Sequence, residues 1–194
     1  QMCIRDSVKA GSGTVIFSGS NSYSGGTVVR EGILQIGSGG VSGGLSSTAD
    51  VLNNGTLVIN RSGLFTQGVD FGPLLSGSGA LVKLAAGTMV LSGANSFTGD
   101  ATVFGGVLNL RHANALGSGS GTTTVSTGAA LEMEGGANTA ARPLILSGTG
   151  LAHTGALRSL SGTNTVGGTV TLLADTRINA DSGSLFLSGL LTSA

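Results

Sequence analysis

Leu91-Ser92-Gly93-Ala94-Asn95-Ser96-Phe97-Thr98-Gly99, running on through Ala101-Thr102-Val103 to Gly106-Val107-Leu108-Asn109-Leu110, is the second writing of a pattern already used once in this chain. Setting Val8 on Val82 lays residues 8–36 on residues 82–110 without a gap, and identical pairs recur along the whole overlap. Among the identities are Lys9/Lys83, Gly13/Gly87, Asn21/Asn95, Gly25/Gly99, Gly32/Gly106 and Leu34/Leu108, while Tyr23/Phe97 and Ile16/Val90 exchange like for like. The same shift puts Val51, Leu57 and Ile59 on Val125, Leu131 and Met133, and a looser third copy starts at Leu160-Ser161-Gly162-Thr163-Asn164. A fixed period of this kind marks a repeat architecture, in which each unit buries its apolar face against its neighbour.

Inside each unit a shorter element recurs: a glycine, a small or β-branched residue, then alternating apolar positions. It reads Gly13-Thr14-Val15-Ile16-Phe17, Gly32-Ile33-Leu34-Gln35-Ile36, Gly55-Thr56-Leu57-Val58-Ile59, Gly87-Thr88-Met89-Val90-Leu91 and Gly183-Ser184-Leu185-Phe186-Leu187. Length, β-branching and alternation predict strands of four or five residues with Leu34 and Ile36, or Leu108 and Leu110, on one face. The spacing between elements is commonly 19 to 24 residues, as from Gly13 to Gly32, Gly32 to Gly55 and Gly87 to Gly106, with short apolar runs such as Thr27-Val28-Val29 between them. This spacing predicts a right-handed parallel β-helix, a solenoid of about eight coils. At roughly 4.8 Å per coil it would be about 40 Å long.

Composition supports that reading and excludes others. The 36 glycines suit corners where the backbone takes positive φ or passes close to its neighbour. Charged residues make up only 9 %, too few for the polar faces of amphipathic helices, while 40 % hydrophobic residues are too many for a flexible linker. Net charge is zero and the lysines and arginines are scattered singly, so nucleic acid is not an expected partner. No apolar run approaches the roughly 20 residues of a membrane helix. Gln1-Met2-Cys3-Ile4-Arg5-Asp6-Ser7 shares nothing with the glycine-rich remainder, and residues 1–7 are expected to be a non-native, adapter-derived leader to a repeat region at 8–194. Setting them aside removes Cys3, the one cysteine, and with it any internal disulfide or cysteine zinc site.

The chemical candidates find plainer explanations inside the repeat. Asn21, Asn95 and Asn164 share the frame Ser-Gly-x-Asn, and are expected to occupy equivalent turns where their amides satisfy buried backbone groups. Asp181-Ser182-Gly183-Ser184 resembles the surroundings of a protease serine, but only His112 and His153 could serve as base, neither in a recognisable setting. The acids Asp50, Asp70, Asp100, Glu132, Glu134, Asp175 and Asp181 are spread thinly, and Glu132 and Glu134 alternate with Leu131 and Met133 as on a solvated strand face. Tyr23 and Phe97 are expected to pack at the core or a corner rather than to form a platform for carbohydrate. Catalytic, cofactor and metal sites are each expected to be none, with no small-molecule substrate.

The frame Leu-Ser-Gly-x-Asn-Ser-[Tyr/Phe]-[Ser/Thr]-Gly-x-x-x-Val, followed by Gly-x-Leu-x-[Ile/Leu], resembles the autotransporter-associated β-strand repeat of bacterial type V secretion. The clear copies are residues 17–29 with 32–36, and residues 91–103 with 106–110. The resemblance implies a β-helical passenger that leaves a Gram-negative cell through a C-terminal outer-membrane barrel and is displayed on, or shed from, the cell surface. No barrel-strand alternation precedes Ala194, so the barrel is expected to be missing from this fragment. The expected role is a structural, non-enzymatic stalk that extends and displays adhesive or effector modules, with a host-surface or cell-cell adhesion partner. Two alternatives remain: a β-helical carbohydrate-active lyase or hydrolase, which would need acids and Lys or Arg converging on one face of adjacent coils, and a self-associating adhesin.

Overall fold

The computed structural model describes residues 6–194, and the chain is all-β: strands of two to five residues, all paired in parallel, with one short 3-10 turn at Leu151–His153. Each coil has three faces. The second face is the spine, a nine-stranded sheet made in chain order by Thr14–Phe17, Ile33–Ile36, Thr56–Ile59, Ala80–Lys83, Ala101–Val103, Thr123–Val125, Leu144–Leu146, Val170–Leu172 and Leu191–Ser193. Nine consecutive strands on one face make a solenoid of about eight coils, as the spacing predicts. The first face holds Ser7–Lys9, Thr27–Val29, Val51–Asn53 and Leu75–Ser76. The third holds Phe65–Thr66, Thr88–Leu91, Val107–Leu110, Ala130–Glu134, Leu157–Ser161 and Ile178–Ala180. A separate pair, Thr163–Val166 with Ser184–Leu187, forms near the end of the chain. The first strand starts at Ser7, and the Asp6 carboxylate accepts a hydrogen bond from Gly26 N, whereas residues 1–5 of the supposed leader lie outside the described residues.

The core is a set of like-on-like ladders. Leu34, Leu57 and Leu81 stack on the second face, and Met89, Leu108, Leu131 and Leu157 on the third. All are essentially buried, each contributing on the order of 1.5–3 kcal/mol through removal from water. Period-2 alternation suffices to put them there, because parallel stacking in register returns every inward position above the previous one.

The repeat unit and the coil have different lengths. Pairing of Thr14 with Ile33, Ile33 with Thr56 and Thr56 with Ala80 takes the chain through three coils between Thr14 and Ala80. The counterpart of Thr14 in the next unit is Thr88, which lies past Ala80, around the next corner and on the third face. The second unit is therefore turned by one face relative to the first. The third copy is not turned again, since Thr88–Leu91 and Leu157–Ser161 share the third face, three strands apart. The expected match of Val51 with Val125 fails for a related reason. Thr27 pairs with Val51 but its counterpart Ala101 pairs with Thr123, so Thr123 holds the place of Val51. The connection before the strand is shorter in the second unit and the one after it correspondingly longer, which restores Leu57/Leu131 and Ile59/Met133.

Glycine is required at two of the corners that lead into a strand. Gly32 and Gly106 have φ of 67° and 69°, and a Cβ on Gly106 would lie 2.2 Å from the Gly87 carbonyl oxygen of the coil before.

Candidate functional site

Placement of the three repeat asparagines differs from the expectation of equivalent turns. Asn21 follows a second-face strand, whereas Asn95 and Asn164 follow third-face strands. Their chemistry is nonetheless common. Asn95, nearly buried, accepts from Leu75 N at 2.8 Å and donates to Ala115 O at 2.8 Å, joining three coils through one amide. Asn164 accepts from Gly136 N and Ala137 N and donates to Ser161 O and Ser159 Oγ. Asn21 donates onward to Gly44 O at 2.6 Å. Each amide replaces a backbone partner where the chain leaves a strand.

Four cationic side chains are buried, Lys9, Arg61, Lys83 and Arg142, and the sequence reading does not anticipate them; Lys83 and Arg142 lie deepest. Lys83 stands in the inward ladder between Ile59 and Val103 at 1 % exposure, and its ammonium turns to the corner carbonyls of Ala85 and Gly105. Burial pushes its amine down to about 8. Lys9, its counterpart, reaches Ala10 O, Gly11 O and Glu31 O in the same way. Arg142, equally buried, donates to Thr123 Oγ1 at 2.9 Å, Leu116 O at 3.0 Å and Gly99 O, and its guanidinium lies 5.0 Å from the centre of the Phe97 ring. The Lys9/Lys83 identity was a usable signal for the lysines. Nothing local marks Arg142, whose partners come from as far along the chain as Gly99.

Acids and arginines do converge on the outward side of the third face. Asn109, Glu132, Arg158 and Asn179 are successive cross-strand neighbours. Arg158 bridges Glu132 at 3.1 Å and Asp181, while Arg111 pairs with Glu134. The Arg158 hydrogen bond holds the Asp181 carboxyl below the usual range. A glycosidase acid needs a raised pKa in a closed site. Here the carboxylates are spent on neighbouring arginines across an open sheet, and Asp181 is displaced the wrong way. Ser182 donates to Leu160 O rather than to a histidine, and His153 Nδ1 meets Thr149 Oγ1. Among the described residues, no three of His, Cys, Asp and Glu come together as a metal site.

A groove of about 420 Å³ lies on the first three coils, where residues 20–24, 41–48 and 69–70 run as loops rather than strands, and a second hollow of about 370 Å³ lies beside Asp175 near the end of the chain. Arg61 forms part of the groove wall, donating to Gly43 O and Val41 O, pairing with Asp70 at 3.2 Å and lying 4.9 Å from the centre of the Phe65 ring. The second Asp70 oxygen accepts from Thr66 N. Tyr23 also lines the groove, half-buried with its hydroxyl on Thr27 Oγ1, whereas its counterpart Phe97 is wholly buried under Arg142. Loss of strand alternation between Gly37 and Asp50 was the sequence signal for this opening.

The fold, its coil-joining amides and its unbroken spine define a repetitive parallel β-solenoid. Residues 8–36 and 81–110 match the family described as Passenger-associated-transport-repeat, so the repeat is the autotransporter-associated one. The chain is also similar to the Adhesin BmaC autotransporter of Brucella suis biovar 1 (strain 1330). The two are 35 % identical over 121 residues, a match covering 53 % of this chain and 4 % of that protein. The chain thus spans a small fraction of that relative's length. No solved structure matches it.

Proposed function

We propose that residues 8–194 form part of the stalk of an autotransporter passenger, carried through the outer membrane of a Gram-negative cell and holding adhesive modules away from the surface. The nine-stranded parallel spine carries this reading, because it transmits load along a continuous ladder of backbone hydrogen bonds. The relative's printed name, an adhesin, supports a non-enzymatic adhesive role for the whole protein. The region also lacks cysteine, and a disulfide closed in an oxidising periplasm would make a loop too wide to thread a narrow pore. Each new coil adds onto a coil already formed, so the rod folds progressively as it emerges.

A direct test places residues 6–194 between an epitope and an autotransporter barrel stripped of its own stalk. Antibody binding on intact cells, with a protease-resistant fragment of the expected size, is the predicted result. Epitope retained in the periplasm, or fully digested on the surface, would refute the stalk role.

A further inference from the structure

We propose that the groove over the first three coils binds a short neutral oligosaccharide; the inference deepens the adhesive reading by giving this segment a ligand of its own. Its volume of about 420 Å³ falls within the roughly 300–1,000 Å³ typical of small-ligand sites.

The chemistry of the wall selects the ligand class. Arg61 is nine-tenths buried and already neutralised by Asp70 and two carbonyls, so the groove offers no free cation to an anion. Asp70, half-buried, has committed one lone pair on each oxygen, to Arg61 and to Thr66 N, and retains capacity to accept from two ligand hydroxyls. The Nε–H of Arg61 is a buried donor without a protein partner. The hydroxyls of Ser22, Ser42 and Ser47 also have no protein partner among the described residues. Val41 and Val69 stand 66 % and 70 % exposed in the same lining, giving apolar contact for the C–H face of a sugar ring. Hydroxyl donors and acceptors around a small apolar patch, with no net charge, match a polyhydroxylated neutral ligand. They match a phosphate or a lipid chain poorly.

The geometry also explains why the site occurs in the first unit only. Leu75 pairs onto Val51 and Leu144 onto Thr123, so stepping back equally from Leu75 and Leu144 puts Pro73 where the second unit has Arg142. The Arg142 side chain covers Phe97 and reaches Leu116 and Gly99, whereas the short ring of Pro73 has neither the length nor the donors to do the same over Tyr23.

An open groove of this kind should bind with a Kd on the order of 1 mM, made effective on a cell by many displayed copies. The test is saturation-transfer NMR on the full chain with maltotriose, cellotriose, N-acetyllactosamine and a neutral peptide of similar mass, each at about 10 mM. At least one saccharide should give ligand signals that Ser42→Trp, which fills the groove from an exposed position, abolishes with the circular dichroism unchanged. Asp70→Asn should weaken the same ligand at least several-fold. Silence from every saccharide, signals untouched by Ser42→Trp, or binding of the peptide alone would overturn the proposal. A chain that is exported but binds no sugar overturns the groove alone; one that binds sugar but is not exported overturns the stalk alone.

Discussion

Replacing Lys83 by methionine should stabilise the protein at neutral pH, and the gain should vanish and then reverse in alkali. The lysine occupies an inward position whose neighbouring rungs, Ile36 and Ile59 before it and Val103 and Val125 after it, are all apolar. Burial lowers its amine from an ordinary 10.5 to about 8. At about 1.4 kcal/mol per pH unit, that gap means the charged form costs the folded state about 3 kcal/mol. Loss of the ammonium's hydrogen bonds to Ala85 O and Gly105 O removes about 1–2 kcal/mol from the benefit, leaving the variant ahead by about 1–2 kcal/mol at pH 7. The sign of the pH dependence follows from linkage. Between about 8 and 10.5 the folded chain has released this proton while the unfolded chain still holds it, so stability of the natural chain rises with pH across that window. The advantage of the variant should therefore fall by about 3 kcal/mol over the same window, crossing zero and leaving the natural chain the more stable above it. Urea unfolding followed by circular dichroism at several pH values reads both quantities, and subtraction cancels the other titrating groups. A variant less stable at pH 7, or a difference flat from pH 8 to 10.5, would show that the corner carbonyls hold the ammonium more tightly than burial disfavours it.

Gly106→Ala should cost several kcal/mol, because its Cβ would lie 2.2 Å from Gly87 O at a positive φ. Gly128→Ala, with φ of 82° but nothing within 4 Å, should cost about 1 kcal/mol, and equal thermal midpoints for the two would contradict the close-approach argument. Asn164→Ala leaves the N–H groups of Gly136 and Ala137 without their acceptor and should destabilise by about 2–4 kcal/mol. Asn21→Ala, on a more exposed turn, should cost much less; hydrogen exchange at Gly136 and Ala137 distinguishes local from global loss. Arg158→Met should raise the Asp181 carboxyl toward its ordinary value, read by carboxyl NMR titration. In the natural chain that pairing favours the fold above the ordinary aspartate range and is lost as pH falls through the lowered value. An unmoved titration would mean that Asn179 and Arg177, not Arg158, set it.

The sequence by itself determined the solenoid, its parallel ladders, its coil number and the repeat that ties it to autotransporter passengers. These are legible because a stacked coil makes its contacts between positions one period apart. Apolar alternation, corner glycines and the echo of residues 8–36 in residues 82–110 are written along the chain at the spacing at which they meet in space. Only the tertiary structure decided the rest. The one-face turn between units arises because three coils bring Thr14 to Ala80 while the repeat brings it to Thr88, a mismatch summed over loop lengths that no single position encodes. Glu132 and Glu134 were readable as outward, yet their binding by Arg158 and Arg111 follows from which strands became neighbours. Arg142 fills the core over Phe97 while Pro73 leaves Tyr23 beside a groove, because loop lengths bring different side chains to the same height in the stack.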